Sequence, residues 1–329
     1  MKLLFFTDTH IRGTTPRNRK DNLIETLETK FKEILYISKE HDVDFILHGG
    51  DLFDRPDISP SIVRKFALIL NSFHIPIYAI AGNHDIYGHN IDTLHRTMLG
   101  LFDAIGIIKL IKQDEVVFLS RDNIKVQLTG QSYKYNIDSK TNKNSYIINK
   151  KDDDVDYAIH IVHGMLLDKP FIEGIPYTLI DDILDTKADI TLSGHYHSGF
   201  GVKEIEGKYF INPGSVIRIT NSLREIDRTP KVVLIKLDKD INIDLIPLKT
   251  AKPGKEILDR SHIEMAMLKN ERIVEFKQSI DSSADFEKLD IDHIVNSLAQ
   301  TEGVSDSVKK EALMRIGNAQ MYYEEDEDE

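Results

Sequence analysis

The chain has 329 residues, enough for one large domain and a smaller companion. It sets 42 Lys and Arg against 54 Asp and Glu for a net charge of −12, half of it in the closing acidic run 324–329, which argues against a purely electrostatic nucleic-acid binder. There is no cysteine, which excludes disulfides, thiol nucleophiles, thiolate zinc sites and iron–sulfur clusters, so any metal must be held by nitrogen and oxygen.

The opening apolar run 3–6 reads as a strand and breaks into Thr7-Asp8-Thr9-His10, too short for the apolar part of a signal peptide. No apolar run approaches the ~20 residues that span a bilayer, so the expectation is a cytoplasmic protein with no membrane partner. Leu23, Leu27, Phe31 and Ile34 recur at helical spacing and predict a helix over 23–38, with a second over 61–73. Further strands are expected at 43–47, 77–80, 124–128, 157–162, 190–192, 200–205, 209–211, 232–237 and 241–246. Helices separate the early strands, whereas the later ones follow one another directly, a pattern that a layered α/β fold with mixed sheets accommodates.

Residues 131–154 are poor in apolar side chains and read as a mobile surface insertion. Lys252-Pro253-Gly254 closes a first domain, 1–254; a polar, helical region follows over 255–323, and the acidic tail 324–329 reads as a solubilising end. The chain lacks a Gly-x-x-x-x-Gly-Lys-Ser/Thr phosphate loop and so should not hydrolyse ATP by that route.

Five strand ends carry metal-ligand types: Asp8-Thr9-His10, Gly50-Asp51, Gly82-Asn83-His84-Asp85, His163-Gly164 and Gly194-His195-Tyr196-His197. Mixed oxygen and imidazole donors suit manganese, iron or zinc rather than calcium. Alternation along a strand puts Asp8 and His10 on one side, and likewise His195 and His197. His163 is preferred to His160 because Gly164 marks the strand end, which leaves His160 as a core residue and His48 as an ordinary strand histidine. Asn212-Pro213-Gly214-Ser215 reads as a tight turn. Arg12, Arg17, Arg19 and Lys20 follow the first donor pair and read either as cations for a nucleic-acid backbone or as the incidental charges of a solvated loop.

In this order the five blocks resemble the calcineurin-type metallophosphoesterase superfamily over roughly the first two-thirds of the chain. The resemblance implies a four-layer αββα sandwich of two mixed sheets, with a dinuclear site at the strand ends and a small helical appendage. By the same resemblance Asp8, His10 and His197 would hold one ion, Asn83, His163 and His195 the other, and Asp51 would bridge them. His84 would be the catalytic histidine that is not a ligand, with Asp54 placed to orient it. Two divalent ions, manganese by preference, would supply the activated water and offset phosphate charge.

Gly49-Gly50-Asp51-Leu52-Phe53-Asp54 and Asn212-Pro213-Gly214-Ser215-Val216-Ile217-Arg218 further resemble SbcD-type DNA-repair nucleases, in the short form of phage recombination subunits. This implies exonuclease action on duplex ends and endonuclease action on single strands, with DNA, an SbcC-type coiled-coil ATPase and a homodimer among the partners. The alternative is a metallophosphatase or phosphodiesterase for small substrates. Beyond residue 281, Ile291, Ile294, Val295 and Leu298 form one narrow helical stripe, and Val308, Ala312, Leu313 and Ile316 a second, read as the surface for the ATPase.

Overall fold

The computed structural model describes residues 1–172 and 174–261, and beyond them 263–265, 267–269, 272–273, 295–296, 299 and 304–315. Two compact units emerge, Met1–Arg260 and Ser261–Glu329. The first runs past the boundary expected at 254, because Ile257 and Leu258 pack on Ile226 and the Lys20 amide donates to the Ile257 carbonyl. In the second, 306–315 is helical and carries a half-buried Leu313; Ile291, Ile294, Leu298 and Ile316 lie outside the described residues.

The first unit follows the order β1 (Lys2–Phe6), α1 (Leu23–Glu40), β2 (Phe45–His48), α2 (Pro60–Asn71), β3 (Ile77–Ala79), α3 (Met98–Ala104), β4 (Lys109–Leu110), β5 (Val116–Arg121), β6 (Ile124–Gln131) and β7 (Tyr157–Gly164). It continues with β8 (Leu166–Leu167), β9 (Thr178–Leu179), β10 (Ile190–His195), β11 (Gly201–Ile205), β12 (Lys208–Asn212), α4 (Leu223–Asp227), β13 (Lys231–Leu237), β14 (Ile241–Pro247) and α5 (Gly254–Ile257). One six-stranded mixed sheet has the order β14-β13-β1-β2-β3-β4, the other β11-β12-β10-β7-β6-β5.

Strand alternation sorts the core. Leu3 and Phe5 of β1 meet Ile159 and Ile161 of β7, Ile190 and Leu192 of β10 and Val233 and Ile235 of β13 between the sheets. The opposite parity, Leu4 and Phe6, packs under α1 and α2 with Leu27, Phe31, Ile34 and Phe66. Asn22 caps α1 by accepting from the amides of Ile24 and Glu25, contributing about 1 kcal/mol.

The outer face of the second sheet corrects the mobile-insertion expectation for 131–154. Ile137 and Tyr146 are buried against Val162 and Phe210, with Leu166, Ile180 and Ile183 completing the cluster. The cover consists of 3₁₀ turns, Lys143–Tyr146 and Ile180–Ile183, and irregular chain. Asp138 ties it down, accepting from the Tyr146 hydroxyl, the Thr178 hydroxyl at 3.0 Å and the Met165 amide at 3.0 Å. The stretch is polar by count, but its few apolar side chains point inward together.

Strands β1 to β4 run parallel, as do β6, β7, β10 and β12. Parallel strands end at a common edge, and in open α/β sheets that carboxyl edge is where ligands bind. Here two such edges face each other, and all five donor blocks lie on them.

Candidate metal centre

Following β1, the Asp8 and His10 amides donate to the Gly50 and Asp51 carbonyls at 3.1 and 3.0 Å, so the two strand ends leave their sheet side by side. Asp8, His10, Asp51 and His195 all have positive φ, between 43° and 77°. Each such non-glycine residue costs roughly 1–3 kcal/mol and survives only where its surroundings over-determine it, which in general is at functional sites. Gly82 is dictated by contact: a Cβ there would stand 2.0 Å from Asp51 Oδ1. Gly164 is likewise fixed by the Tyr146 hydroxyl, 2.0 Å from where its Cβ would lie.

Donor atoms gather in two sets. Asp8, His10, Asp51 and His197 form one, with His10 Nε2 3.7 Å from Asp51 Oδ2 and His197 Nε2 3.6 Å from Asp8 Oδ1. Asp51, His163 and His195 form the second, and Asn83 joins it through Oδ1, 3.1 Å from His163 Nε2 and 2.9 Å from His195 Nδ1. Asp51 is common to both. Its Oδ2 is buried with no hydrogen-bond partner among the described residues, although His163 Nε2 is only 3.3 Å away. His10 and His197 bring their Nε2 atoms within 3.0 Å of each other. An orphaned buried carboxylate oxygen and two imidazoles aimed at one point are hard to explain as fold alone and fit a pair of divalent cations.

Electrostatics agree with that fit. For Asp51 burial would raise the carboxyl, but the facing His163 and then His10 outweigh burial and hold it well below the usual range. Burial opposes protonation of His163, yet the Asp51 carboxylate lifts the ring to about 9. Burial and the neighbouring charge of His163 drop His195 to about 3, and burial with His10 lowers His197 strongly, so both present lone pairs at neutral pH.

Outer contacts orient the donors. His163 Nδ1 donates to the Gly49 carbonyl at 2.7 Å, which fixes Nε2 as the inward nitrogen. Asp54 Oδ1 lies 3.5 Å from His10 Nδ1, and its other oxygen pairs with Arg12 at 3.1 Å. The carboxylate therefore faces His10, not His84; it is the Asp54 main-chain carbonyl that accepts from His84 Nδ1, at 2.9 Å. His84 is exposed, stacked edge-on against His10 with ring centroids 4.7 Å apart, and keeps Nε2 available. Asp85 was not singled out from sequence. It is buried and accepts from the amides of Leu52, Phe53 and Gly82, clamping the β2 and β3 loops together, and burial plus the nearby Asp51 pushes it up to about 7.

Tyr133 was missed as well. Its ring stands 5.8 Å from His195 and 6.3 Å from His163, and its amide donates to Ala81 at 2.9 Å. β6 ends at Gln131 on the same carboxyl edge, so the rule that picked out the other strand ends would have found it.

Among the four basic residues, Arg19 needs correction: it is buried, bound to Asp21 at 2.8 and 2.6 Å and to the Arg218 carbonyl, and does not face a DNA backbone. Charge alone could not reveal that commitment. Arg12 is partly engaged with Asp54 and Thr14, while Arg17 and Lys20 are exposed. His160 donates from Nε2 to the Ser145 carbonyl and meets Thr129 at Nδ1, on the face of β7 away from the donors. His48 sits in β2 beneath Phe6.

Residues 1–199 match the calcineurin-like phosphoesterase family, and the chain belongs to it. Two sheets with flanking helices and paired donor sets at their carboxyl edges are what that membership looks like in three dimensions. The chain is 34% identical over 109 residues to the DNA double-strand break repair protein Mre11 of Thermoplasma acidophilum, covering 32% of this chain and 27% of that one. It is 26% identical over 257 residues to the protein of the same name from Archaeoglobus fulgidus, covering 69% and 52%. With the double-strand break repair protein MRE11 of Encephalitozoon cuniculi the identity is 25% over 304 residues, covering 80% and 50%. The chain thus spans about half or less of the length of these relatives. Among solved structures, the calcineurin-like phosphoesterase YfkN of Bacillus subtilis superimposes with a TM-score of 0.46 at 14% identity, covering 84% of this chain and 98% of that one. Among the described residues, no helix is long and apolar enough to cross a membrane.

Proposed function

We propose that this chain is a DNA nuclease that cuts phosphodiester bonds at a two-metal centre, acting on duplex ends and single strands as the nuclease subunit of a complex with an SbcC-type ATPase. The observation that carries the reading is the pair of donor sets sharing the orphaned Asp51 carboxylate; the likeness to DNA double-strand break repair proteins supports DNA as the substrate. Asp8, His10 and His197 would hold one ion and Asn83, His163 and His195 the other, with Asp51 common to both sets. When bound, two divalent ions, manganese by preference, supply Lewis acidity and a water of lowered pKa.

The chain's own residues do the rest. The Gly49 carbonyl keeps His163 in the tautomer that turns Nε2 toward the donor cluster, the Asp54 carboxylate stands behind His10 Nδ1, and Asp85 holds the loops of Asp51 and Asn83 at fixed spacing. His84, its Nδ1–H held by the Asp54 carbonyl, presents Nε2 to the departing oxygen and donates a proton or hydrogen bond there when the ring carries both protons. Arg17 and Lys20 offer exposed charge to the DNA backbone, and the second unit, with Leu313 on its helix 306–315, engages the ATPase. The rival reading is a phosphatase or phosphodiesterase for small phosphoesters.

The test is cleavage by purified protein, with and without the ATPase, in manganese, magnesium or chelator. The substrates are linear duplex lacking terminal phosphate, circular single-stranded DNA and small phosphomonoesters. DNA should be cut in manganese and spared in chelator, with monoesters poor substrates. Rapid hydrolysis of nucleotides with DNA left intact would replace the nuclease by its rival.

A further inference from the structure

Away from the metal centre, the turn after β12 covers a buried cationic cluster that the proposed reaction does not use. Arg19, Lys30, Arg218 and Arg228 gather there against two carboxylates, Asp21 and Glu225. Asp21 is taken up by Arg19 at 2.8 and 2.6 Å, and Glu225 by Arg228 at 2.7 and 2.9 Å. This leaves Lys30 and Arg218, 1% and 2% exposed, with no ion pair among the described residues. Lys30 donates to the Val216 carbonyl at 2.5 Å, and Arg218 to the carbonyls of Lys252 and Arg228. Neutral carbonyls satisfy hydrogens but do not cancel charge: burial and the neighbouring Arg228, Arg218 and Arg19 push the Lys30 ammonium well below its ordinary range, an opposition that an anion placed beside it would relieve.

Both cations line one cavity of about 280 Å³, whose wall also includes Lys252, Thr26 and Thr29. Two acids share the lining, but Asp21 is already neutralised by Arg19, and Glu25 accepts from the Asn22 amide group at 3.0 Å. With Asp21 cancelled by Arg19 behind the wall, the basic groups of the lining, Lys30, Arg218 and Lys252, outnumber its one remaining acid, Glu25. The volume sits just below the usual range for small-molecule sites and leaves ample room for a tetrahedral oxyanion.

We propose that this cavity binds a phosphate-class oxyanion, as inorganic phosphate or as the phosphate of a mononucleotide, with Lys30 and Arg218 as its buried cationic floor and Lys252 at its rim. The site is coupled to the metal centre by short steps. Lys30 holds Val216, whose amide donates to the Thr7 carbonyl at 3.1 Å, and the Ser215 amide donates to the His197 carbonyl at 2.9 Å. Occupancy thus bears on the turn that braces Asp8 and His197.

Thermal unfolding of the full chain, metal-loaded and after stripping over chelating resin, would be titrated with sodium phosphate, a deoxynucleoside monophosphate and sodium chloride at matched ionic strength. Phosphate should raise the midpoint saturably in both states. Thr29→Glu places a carboxylate at the exposed mouth and should weaken the effect about tenfold, the size of one added like charge at this range. Lys30→Met should abolish it, and if that variant does not fold, Thr29→Glu still decides. Comparable saturation by the monophosphate identifies a nucleotide site, and saturation by phosphate alone an inorganic one. Three results would overturn the proposal: a rise that vanishes on metal stripping, which assigns the phosphate to the dinuclear centre; an unsaturable rise equal in Thr29→Glu, which is salt exclusion; or saturation by calcium in place of phosphate.

Discussion

Asp51 and His84 are held in ways that predict different failures. Asp51 lends its orphaned oxygen to both donor sets, so Asp51→Asn should strip metal and abolish activity together. His84→Ala should keep both ions and lose about 10²–10⁴ in rate, the range of general acid–base help. Metal content measured beside activity separates the two, and a metal-free His84→Ala would make that residue a ligand. Asp54→Ala removes the carboxylate behind His10 but leaves the carbonyl that holds His84. Metal affinity should fall about 10–100-fold with the fold intact, as for other outer partners of ligating histidines; a metal titration followed by circular dichroism checks it. His160 and His48 are kept neutral: burial lowers His160 from 6.5, and burial with His163 nearby takes His48 to about 3. The unfolded chain therefore binds more protons in acid. Stability from these rings is complete above ~6.5 and drains as pH falls below it, at up to about 1.4 kcal/mol per pH unit for each. Urea unfolding of metal-stripped protein between pH 7.5 and 5.5 should show the decline, shallower in His160→Gln; an unchanged slope would mean that His160 titrates freely in the fold.

At the level of elements, apolar periodicity and strand ends were legible, and commitments between side chains were not. The stripe Leu23, Leu27, Phe31, Ile34 marked α1, and parity on β7 separates His163, on the inner face with Ile159 and Ile161, from His160 on the outer. Segment 131–154 escaped because a cover held by Ile137, Tyr146 and one shared aspartate has no period to detect. Strand β5 escaped too, being an edge strand with only Leu119 buried. The orientation of Asp54 and the burial of Arg19 depend on rotamers and on partners distant in sequence, Arg218 lying 199 residues from Arg19, which spacing does not encode. Tyr146→Phe tests the cover: it keeps the ring but leaves Asp138 short of a donor, and should cost about 1–3 kcal/mol in equilibrium unfolding. Phe31→Ala, under the first sheet, should cost about 3–5 kcal/mol.

For the whole molecule, the division falls at Arg260, and the proposed function puts catalysis in the first unit and the ATPase contact in the second. Every candidate ligand lies between Asp8 and His197, so a chain ending at Arg260 should retain metal binding and basal metal-dependent cleavage while losing association with the ATPase. Co-purification of the truncated form at full affinity would move the interface onto the first unit.

With ions bound, the two donor sets would also do mechanical work. Asp8, His10, Asp51 and Asn83 leave the edge of one sheet, His163, His195 and His197 the edge of the other. The aliphatic layer between the sheets resists separation but, being non-directional, offers little resistance to sliding. Ions shared by the two edges would act as rivets against shear. Metal removal should therefore speed amide hydrogen exchange at the carboxyl ends of β1, β2, β7 and β10 while leaving the strand centres protected, so that the sheets slip at one edge before either unfolds.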